Sequence, residues 1–180
     1  GNEMGDQKMA RRNREVGVLK SCVLAAALVA GLALPTQADD KKLTLSATTY
    51  IATDYMFRGI SNTEQKPEAA AEFDAYYGIF YAGMWASNTA YGDNIEIDYY
   101  AGITPKWGDV TFNFAFLYYS YPGANSEIGY YEVKAAAACT SGNWTFGIGD
   151  WWSPDNFQVF GNSNAIEGSI AYAFQGKLFN

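Results

Sequence analysis

The chain has 180 residues, with 12 basic and 19 acidic side chains, no histidine and a formal net charge of −7. This acidic balance argues against nucleic-acid binding, and the absence of histidine removes the usual general base and the Ser–His nucleophile arrangement. Tyr, Phe and Trp make up 17% of the residues, so a disordered chain is not expected.

The N-terminal region has the pattern of an export signal. A basic segment with Arg11, Arg12 and Lys20 precedes the apolar run 21–34, which ends in Pro35 and small or polar residues. A membrane anchor is the alternative, but the run is shorter than the roughly 17 to 25 residues that a spanning helix needs. We expect residues 1–38 to be a signal peptide, whose start could be Met4 or Met9, and residues 39–180 to form one domain.

The remaining chain alternates between apolar and polar residues, which predicts β-strands. The clearest example, residues 94–104, places Ile95, Ile97 and Tyr99 on one face and Glu96 and Asp98 on the other. Eight strands are predicted in chain order, at about residues 43–58, 68–77, 80–87, 94–104, 110–118, 131–139, 144–149 and 166–174.

The alternation assigns the facing of the first strand but not that of the third. The first is expected to carry Tyr55 and Phe57 on its apolar face and Asp54 and Arg58 on its polar face. The third is apolar on both faces, so the pattern does not assign its facing.

The apolar faces could meet a second sheet in a soluble sandwich, or lipid in an outer-membrane barrel. Connections after the second, fourth, sixth and eighth strands are short, and those after the first, third and seventh are longer. The connection after the fifth strand is predicted to be no longer than its neighbours. Alternation of short turns and long loops is typical of outer-membrane barrels.

Aromatic residues near the predicted strand ends support the membrane alternative, because amphipathic rings are favoured at membrane interfaces. The alternative is that these rings fill a soluble core. The predicted interfacial aromatics are Tyr55, Trp85, Trp107, Tyr119, Trp144, Trp151 and Trp152.

Several motifs in order resemble the bacterial TorF-type porin family. They are residues 53–61 (TDYMFRGIS) with Lys66 and Pro67, 80–88 (FYAGMWASN), 96–102 (EIDYYAG), 118–123 (YYSYPG) and 152–155 (WSPD). The resemblance covers almost the whole of residues 39–180 and implies an outer-membrane barrel that acts as a porin. Family members usually continue through further strands to a C-terminal aromatic strand, whereas this sequence stops at Asn180, so a truncated C-terminus is an open expectation.

We therefore expect an all-β, up-and-down antiparallel transmembrane β-barrel with about eight visible strands. The side chains predicted to line its lumen are Asp54, Arg58, Glu68, Glu72, Asp74, Glu96, Asp98, Glu132, Lys134 and Glu167. Carboxylates around a passage favour cations over anions. The alternative is a lumen closed by ion pairs, Arg58 with Asp54 or with a neighbouring Glu, since eight strands enclose a space that side chains can fill.

The functional expectation is an outer-membrane porin that passes small solutes or cations through an acidic lumen. A non-conducting outer-membrane barrel and a soluble periplasmic binding barrel are the alternatives. We expect no enzyme activity, catalytic residue, cofactor or metal site; Cys139 is the one cysteine left after removal of the signal peptide. The expected partners are outer-membrane lipid and a small solute or ion, without nucleic acid, and the oligomeric state stays open.

Overall fold

The computed structural model describes residues 42–90, 95–124, 128–156 and 161–174, all within the unit Leu34–Asn180. The predicted signal peptide, residues 1–38, lies outside the described residues, as do the sequence beyond Phe174 and parts of three predicted loops. Within the described ranges, no helix combines the length and apolarity required to cross a membrane.

The described residues form strands and turns, so the predicted all-β class is confirmed. The described residues contain eight long strands and three short ones. Their bounds are β1 Thr44–Ala52, β2 Met56–Phe57, β3 Ile60–Ser61, β4 Glu68–Tyr77, β5 Phe80–Asn88, β6 Ile95–Ile103, β7 Lys106–Trp107, β8 Val110–Ser120, β9 Tyr130–Ser141, β10 Trp144–Ser153 and β11 Ser163–Tyr172.

The long strands pair antiparallel with their sequence neighbours, in the order β1-β4-β5-β6-β8-β9-β10-β11. This confirms the predicted up-and-down order. Strands β1 and β11 end the order, and in the residues described no pairing joins them, so a closed barrel is not found.

The register keeps the two faces of the sheet separate. Phe73, Met84, Tyr99, Tyr118 and Tyr131 are successive cross-strand partners on β4, β5, β6, β8 and β9. A slip of one residue in any pair would exchange the faces of one strand, so the alternating pattern and the register support each other. We call the face with these five residues the apolar face. The opposite face, which bears Glu68, Glu72, Asp74, Glu96, Asp98, Glu132, Lys134 and Glu167, is the carboxylate face.

The first strand is shorter than predicted, because β1 ends at Ala52 rather than Arg58. The chain then forms the small hairpin β2–β3, with positive φ angles at Arg58 (48°) and Gly59 (83°). A left-handed pair of residues reverses the chain, so the alternation counted through residue 58 no longer describes one strand.

Two other bounds differ from the predictions. Strand β10 continues to Ser153 and takes Trp151 and Trp152 out of the predicted loop. The connection after the fifth long strand covers residues 121–129, so it is longer than predicted. All four long connections consequently leave from the same end of the sheet, because they follow strands that run in one direction.

The opposite end of the sheet has tight turns between consecutive strands. Gly78 and Gly142 open the two-residue connections between β4 and β5 and between β9 and β10, with φ angles of 58° and 59°. Glycine adopts this left-handed conformation without steric cost, which two-residue hairpins require.

Candidate functional site

Burial in the described sheet is the reverse of that in a water-soluble protein. On the carboxylate face, Glu132 is 0% and Glu96 1% exposed, whereas Ile51 and Ile148 on the apolar face are 82% and 61% exposed. Acidic side chains are almost never fully buried unless they are paired, and large apolar patches are rarely left exposed by soluble monomers. The carboxylate face is therefore the candidate functional site, and its acids need partners.

Arg58 is the principal partner of Glu132. Its Nη1 and Nη2 donate to the two carboxylate oxygens of Glu132 at 2.7 and 2.8 Å, and its Nε lies 3.6 Å from Oε1 of Glu167. The guanidinium carbon also lies 4.5 Å from the ring centroid of Phe57. Bidentate contacts between arginine and a carboxylate are strong and directional, so the tip of hairpin β2–β3 is fastened to β9.

The sequence left open whether Arg58 pairs with Asp54 or with a glutamate, and the structure brings it to glutamates. Burial on its own would lower the pKa of Arg58, but the hydrogen bonds and charge of Glu132 raise that pKa above its ordinary value. Arg58 therefore stays protonated in this position.

Aromatic rings surround the same ion pair. Tyr119 donates its hydroxyl hydrogen to Oε2 of Glu132 at 2.9 Å. The ring of Trp151 lies 5.0 Å from Nζ of Lys134 and 5.9 Å from the guanidinium carbon of Arg58. Both cations are within the range in which an aromatic face attracts positive charge.

A second group of acids is bound by tyrosine. The hydroxyl of Tyr100 lies 2.6 Å from Oδ1 of Asp74 and 2.8 Å from Oε1 of Glu72. Gly83 lies directly under this ring, where an added Cβ would be 2.6 Å from both Asp74 Oδ1 and a ring carbon of Tyr100. The missing side chain at residue 83 creates the room that the ring occupies.

Glu68 and Glu96 also accept hydrogen bonds from tyrosine. Tyr50 and Ser87 donate to Oε1 of Glu68 at 3.2 and 3.3 Å, and Tyr55 donates to Oε1 of Glu96 at 3.1 Å. Tyr50 and Tyr100 were not among the site residues predicted from the sequence. Their positions on the polar side of the alternation were the signal that could have identified them.

Asp54 lies outside the carboxylate face, in the connection between β1 and β2. Its Oδ1 accepts hydrogen bonds from the hydroxyls of Ser61 and Thr63, both at 2.7 Å. These bonds lower the pKa of Asp54 below its ordinary value of 3.8. Asp54 therefore stabilises the base of the hairpin, whereas the other nine predicted lumen residues either lie on the carboxylate face or, for Arg58, contact it.

The seven predicted interfacial aromatics divide into two groups. Trp107, Trp144 and Trp152 are exposed. Four others, Tyr55, Trp85, Tyr119 and Trp151, lie against or on the carboxylate face, where the first three donate hydrogen bonds and Trp151 contacts two cations. For Tyr55 this corrects the predicted facing, because the chain leaves the strand before residue 55.

One charged side chain interrupts the apolar face. Asp150 on β10 has Ala135 and Ile166 as cross-strand partners, and Nδ2 of Asn164 lies 3.0 Å from each of its carboxylate oxygens. The amide of Asn164 thus satisfies both oxygens of Asp150 within the sheet.

Among the described residues, no group of three or more His, Cys, Asp or Glu side chains is arranged to hold a metal ion. The model of a bacterial family, described as "Bacterial protein of unknown function (Gcw_chp)", matches residues 36–177. Neither a curated protein nor a solved structure matches the chain.

Proposed function

The chain belongs to the Gcw_chp family of bacterial proteins, and we propose that it forms a β-barrel in the bacterial outer membrane and acts there as a porin. The observation that carries the proposal is the distribution of polarity in the sheet. Acids are buried on one face while phenylalanine, tyrosine, isoleucine and tryptophan side chains are exposed on the other. Hydrocarbon is the solvent that suits such an outer face.

The strand lengths support a membrane location. The eight long strands have 9 to 12 residues. A tilted membrane-spanning strand needs about 9 to 11. Bacterial outer-membrane barrels also have short turns at one end of their strands and long connections at the other.

Closure of the sheet is part of the proposal. Open edges on β1 and β11 would leave backbone N–H and C=O groups without partners in lipid, where each such group costs several kcal/mol. The edges therefore pair with each other or with further strands. The proposal also includes export by the N-terminal signal peptide, and it agrees with the resemblance to TorF-type porins.

The proposed transported species are small cations. The carboxylate face carries seven acids, Glu68, Glu72, Asp74, Glu96, Asp98, Glu132 and Glu167, opposed by Arg58 and Lys134. An excess of fixed negative charge in a narrow passage attracts cations and repels anions. The hairpin β2–β3 lies against this face, so it limits the width of the passage.

Planar-bilayer recording of the refolded protein tests this function. We expect discrete conductance steps, with a reversal potential in a KCl gradient that indicates a preference for K⁺ over Cl⁻. A variant with an exposed acid neutralised outside the face, Glu64→Gln, serves as the control and is expected to keep the wild-type reversal potential. Anion preference, or a refolded barrel without conductance, would contradict the porin proposal.

The non-conducting barrel is the second candidate, and the Arg58–Glu132 contact favours it. A bidentate ion pair with a fully buried carboxylate holds the hairpin across the carboxylate face. If this contact closes the passage, the wild-type protein gives no current, and the variant Arg58→Ala conducts. No current from either protein would indicate a structural role for the barrel.

A further inference from the structure

Two carboxylate oxygens on the carboxylate face lack hydrogen-bond partners. They are Oε2 of Glu96 and Oδ1 of Asp98, and both atoms are buried. Glu96 and Asp98 are two residues apart on β6, so their side chains leave the strand on the same face. Glu96 is only 1% exposed.

The described partners of these two acids are aromatic side chains, and Tyr121 as well as Tyr55 interacts with Glu96. Tyr55 donates to the other oxygen of Glu96, and the cross-strand partners of Asp98 are Trp85 and Tyr119. Among the described residues, the ion pairs formed by Arg58 and Lys66 engage Glu132, Glu167 and Glu64. These ion pairs include neither Glu96 nor Asp98.

An unpaired buried carboxylate oxygen is unfavourable, because its lost hydration is not replaced. A bound cation would compensate for this lost hydration. The donors available at this point are carboxylate and tyrosine hydroxyl oxygens, which suit a hard cation such as Ca²⁺ rather than a transition metal that prefers nitrogen or sulfur. When both carboxyls of the pair are ionised, a divalent ion matches their charge.

We propose that Glu96 and Asp98 form a binding site for one divalent cation, with Ca²⁺ as the best match. Water would complete the coordination, since Ca²⁺ takes about 6 to 8 oxygen ligands. The inference rests on the proposed enclosure of the carboxylate face but not on conduction. In a conducting barrel, the site would be a position at which divalent cations are retained along the passage.

Calorimetric titration of the refolded protein in detergent with CaCl₂, at constant ionic strength, tests the proposal. We expect saturable binding at a single site and a rise in the thermal unfolding temperature with CaCl₂. The isosteric variants Glu96→Gln and Asp98→Asn are expected to weaken binding by about tenfold or more. Glu64→Gln, which removes an exposed acid from the connection between β3 and β4, is the matched control and should bind Ca²⁺ as the wild type does.

A measurement on the wild type alone covers the case in which these variants do not fold. Tb³⁺, which replaces Ca²⁺ in oxygen sites, should show emission on excitation of Trp85 and Tyr55, and CaCl₂ should displace it. Absence of this emission would overturn the proposal. So would equal stabilisation by NaCl at the same ionic strength, or unchanged Ca²⁺ binding in the folded variants, results that indicate a proton shared by the two carboxyls.

The outcomes separate this site from the porin proposal. If the protein binds Ca²⁺ but carries no current, the cation-site proposal is supported and the transport proposal is contradicted. If the protein conducts cations but shows no saturable response to CaCl₂ or Tb³⁺, only the cation-site proposal is contradicted.

Discussion

Tyr100 and Gly83 show how single residues shape the carboxylate face. The hydroxyl of Tyr100 serves two acids, and its ring occupies the space above a glycine on the neighbouring strand. The same arrangement recurs on β6, where an added Cβ at Gly102 would lie 2.7 Å from the hydroxyl of Tyr81. Glycine in these strands thus makes room for aromatic hydrogen-bond donors.

Gly83→Ala is therefore expected to displace Tyr100 and lower the free energy of unfolding by about 1 to 3 kcal/mol, the usual cost of overpacking. The matched control is Gly168→Ala on β11, where the nearest atom to an added Cβ is 3.9 Å away. Urea unfolding followed by tryptophan fluorescence would measure both variants. Equal stability of the two would contradict the role assigned to Gly83.

Asp54 predicts a pH dependence at the base of hairpin β2–β3. Hydrogen bonds from Ser61 and Thr63 lower the pKa of Asp54, so its contribution to stability is present above the unfolded-state pKa and is lost as the pH falls through the folded-state pKa. We expect an NMR titration of the Asp54 carboxyl carbon to have a midpoint below pH 3.8.

The two donors provide the control for this titration. In a Ser61→Ala, Thr63→Val double variant, the pKa of Asp54 should rise toward 3.8, because both side-chain hydrogen bonds are gone. An unchanged midpoint would show that the hydroxyls do not set the pKa.

At the scale of elements, the Arg58 side chain joins hairpin β2–β3 to strand β9. Arg58→Ala leaves Glu132 buried without its cation, and removal of one partner from a buried pair costs about 3 kcal/mol or more. Lys66→Ala is the control, because the Lys66–Glu64 pair is exposed and should contribute about 0 to 1 kcal/mol. Chemical unfolding of both variants measures the difference.

A double-mutant cycle with Glu132→Gln measures the interaction free energy between Arg58 and Glu132. The double variant should be more stable than Arg58→Ala alone, because residue 132 no longer carries a buried charge without its cation. If the double variant is less stable than Arg58→Ala, the ion pair is not the feature that fastens the hairpin.

The apolar face carries a prediction that distinguishes lipid from water. Tyr99 lies at the centre of β6, and Tyr99→Arg in lipid vesicles should lower the free energy of unfolding by about 2 to 4 kcal/mol, the cost of arginine near a bilayer midplane. Trp107→Arg, at the turn edge, should cost about 0 to 1 kcal/mol. Similar small effects at both positions would favour a water-soluble sheet.

The strands were predictable from the sequence, and the hairpin was not. Alternation is a local property, and it located all eight long strands because each one keeps its faces through the register. The reversal at Arg58 and Gly59 needs a left-handed backbone, which alternation does not record. Strand β5 could not be oriented because its side chains toward the carboxylate face, Tyr81 and Trp85, are aromatic like those on the other face.

The acidic residues of the site were predictable from the sequence, but their hydrogen-bond partners were not. The acids of the strands were identified from their spacing, whereas the tyrosines that donate to them lie one or more strands away. Tyr100 reaches Asp74 and Glu72 across β5, and Arg58 reaches Glu132 over a separation of 74 residues. Contacts of this kind depend on tertiary packing, which no window of sequence contains.

At the scale of the whole molecule, closure and membrane insertion predict a specific biochemical behaviour. We expect the protein to sediment with outer membranes and to migrate faster on SDS gels before boiling than after it, because a closed barrel resists unfolding by detergent. A variant that lacks β11 and the sequence after it should lose this difference. Recovery of the protein in the periplasmic fraction would instead support the soluble barrel.

The paired side chains of Asp150 and Asn164 determine how deep such a barrel can sit. Asp150 faces outward three residues before the end of β10 at Ser153, roughly 10 Å along the strand. A carboxylate is tolerated there only close to lipid headgroups, even with an amide beside it. Under the proposed orientation, the hydrocarbon band must therefore stop below residue 150. The end of the sheet with the long connections then projects into the aqueous phase. The part of β10 that lies in hydrocarbon is the part nearer its tight-turn end.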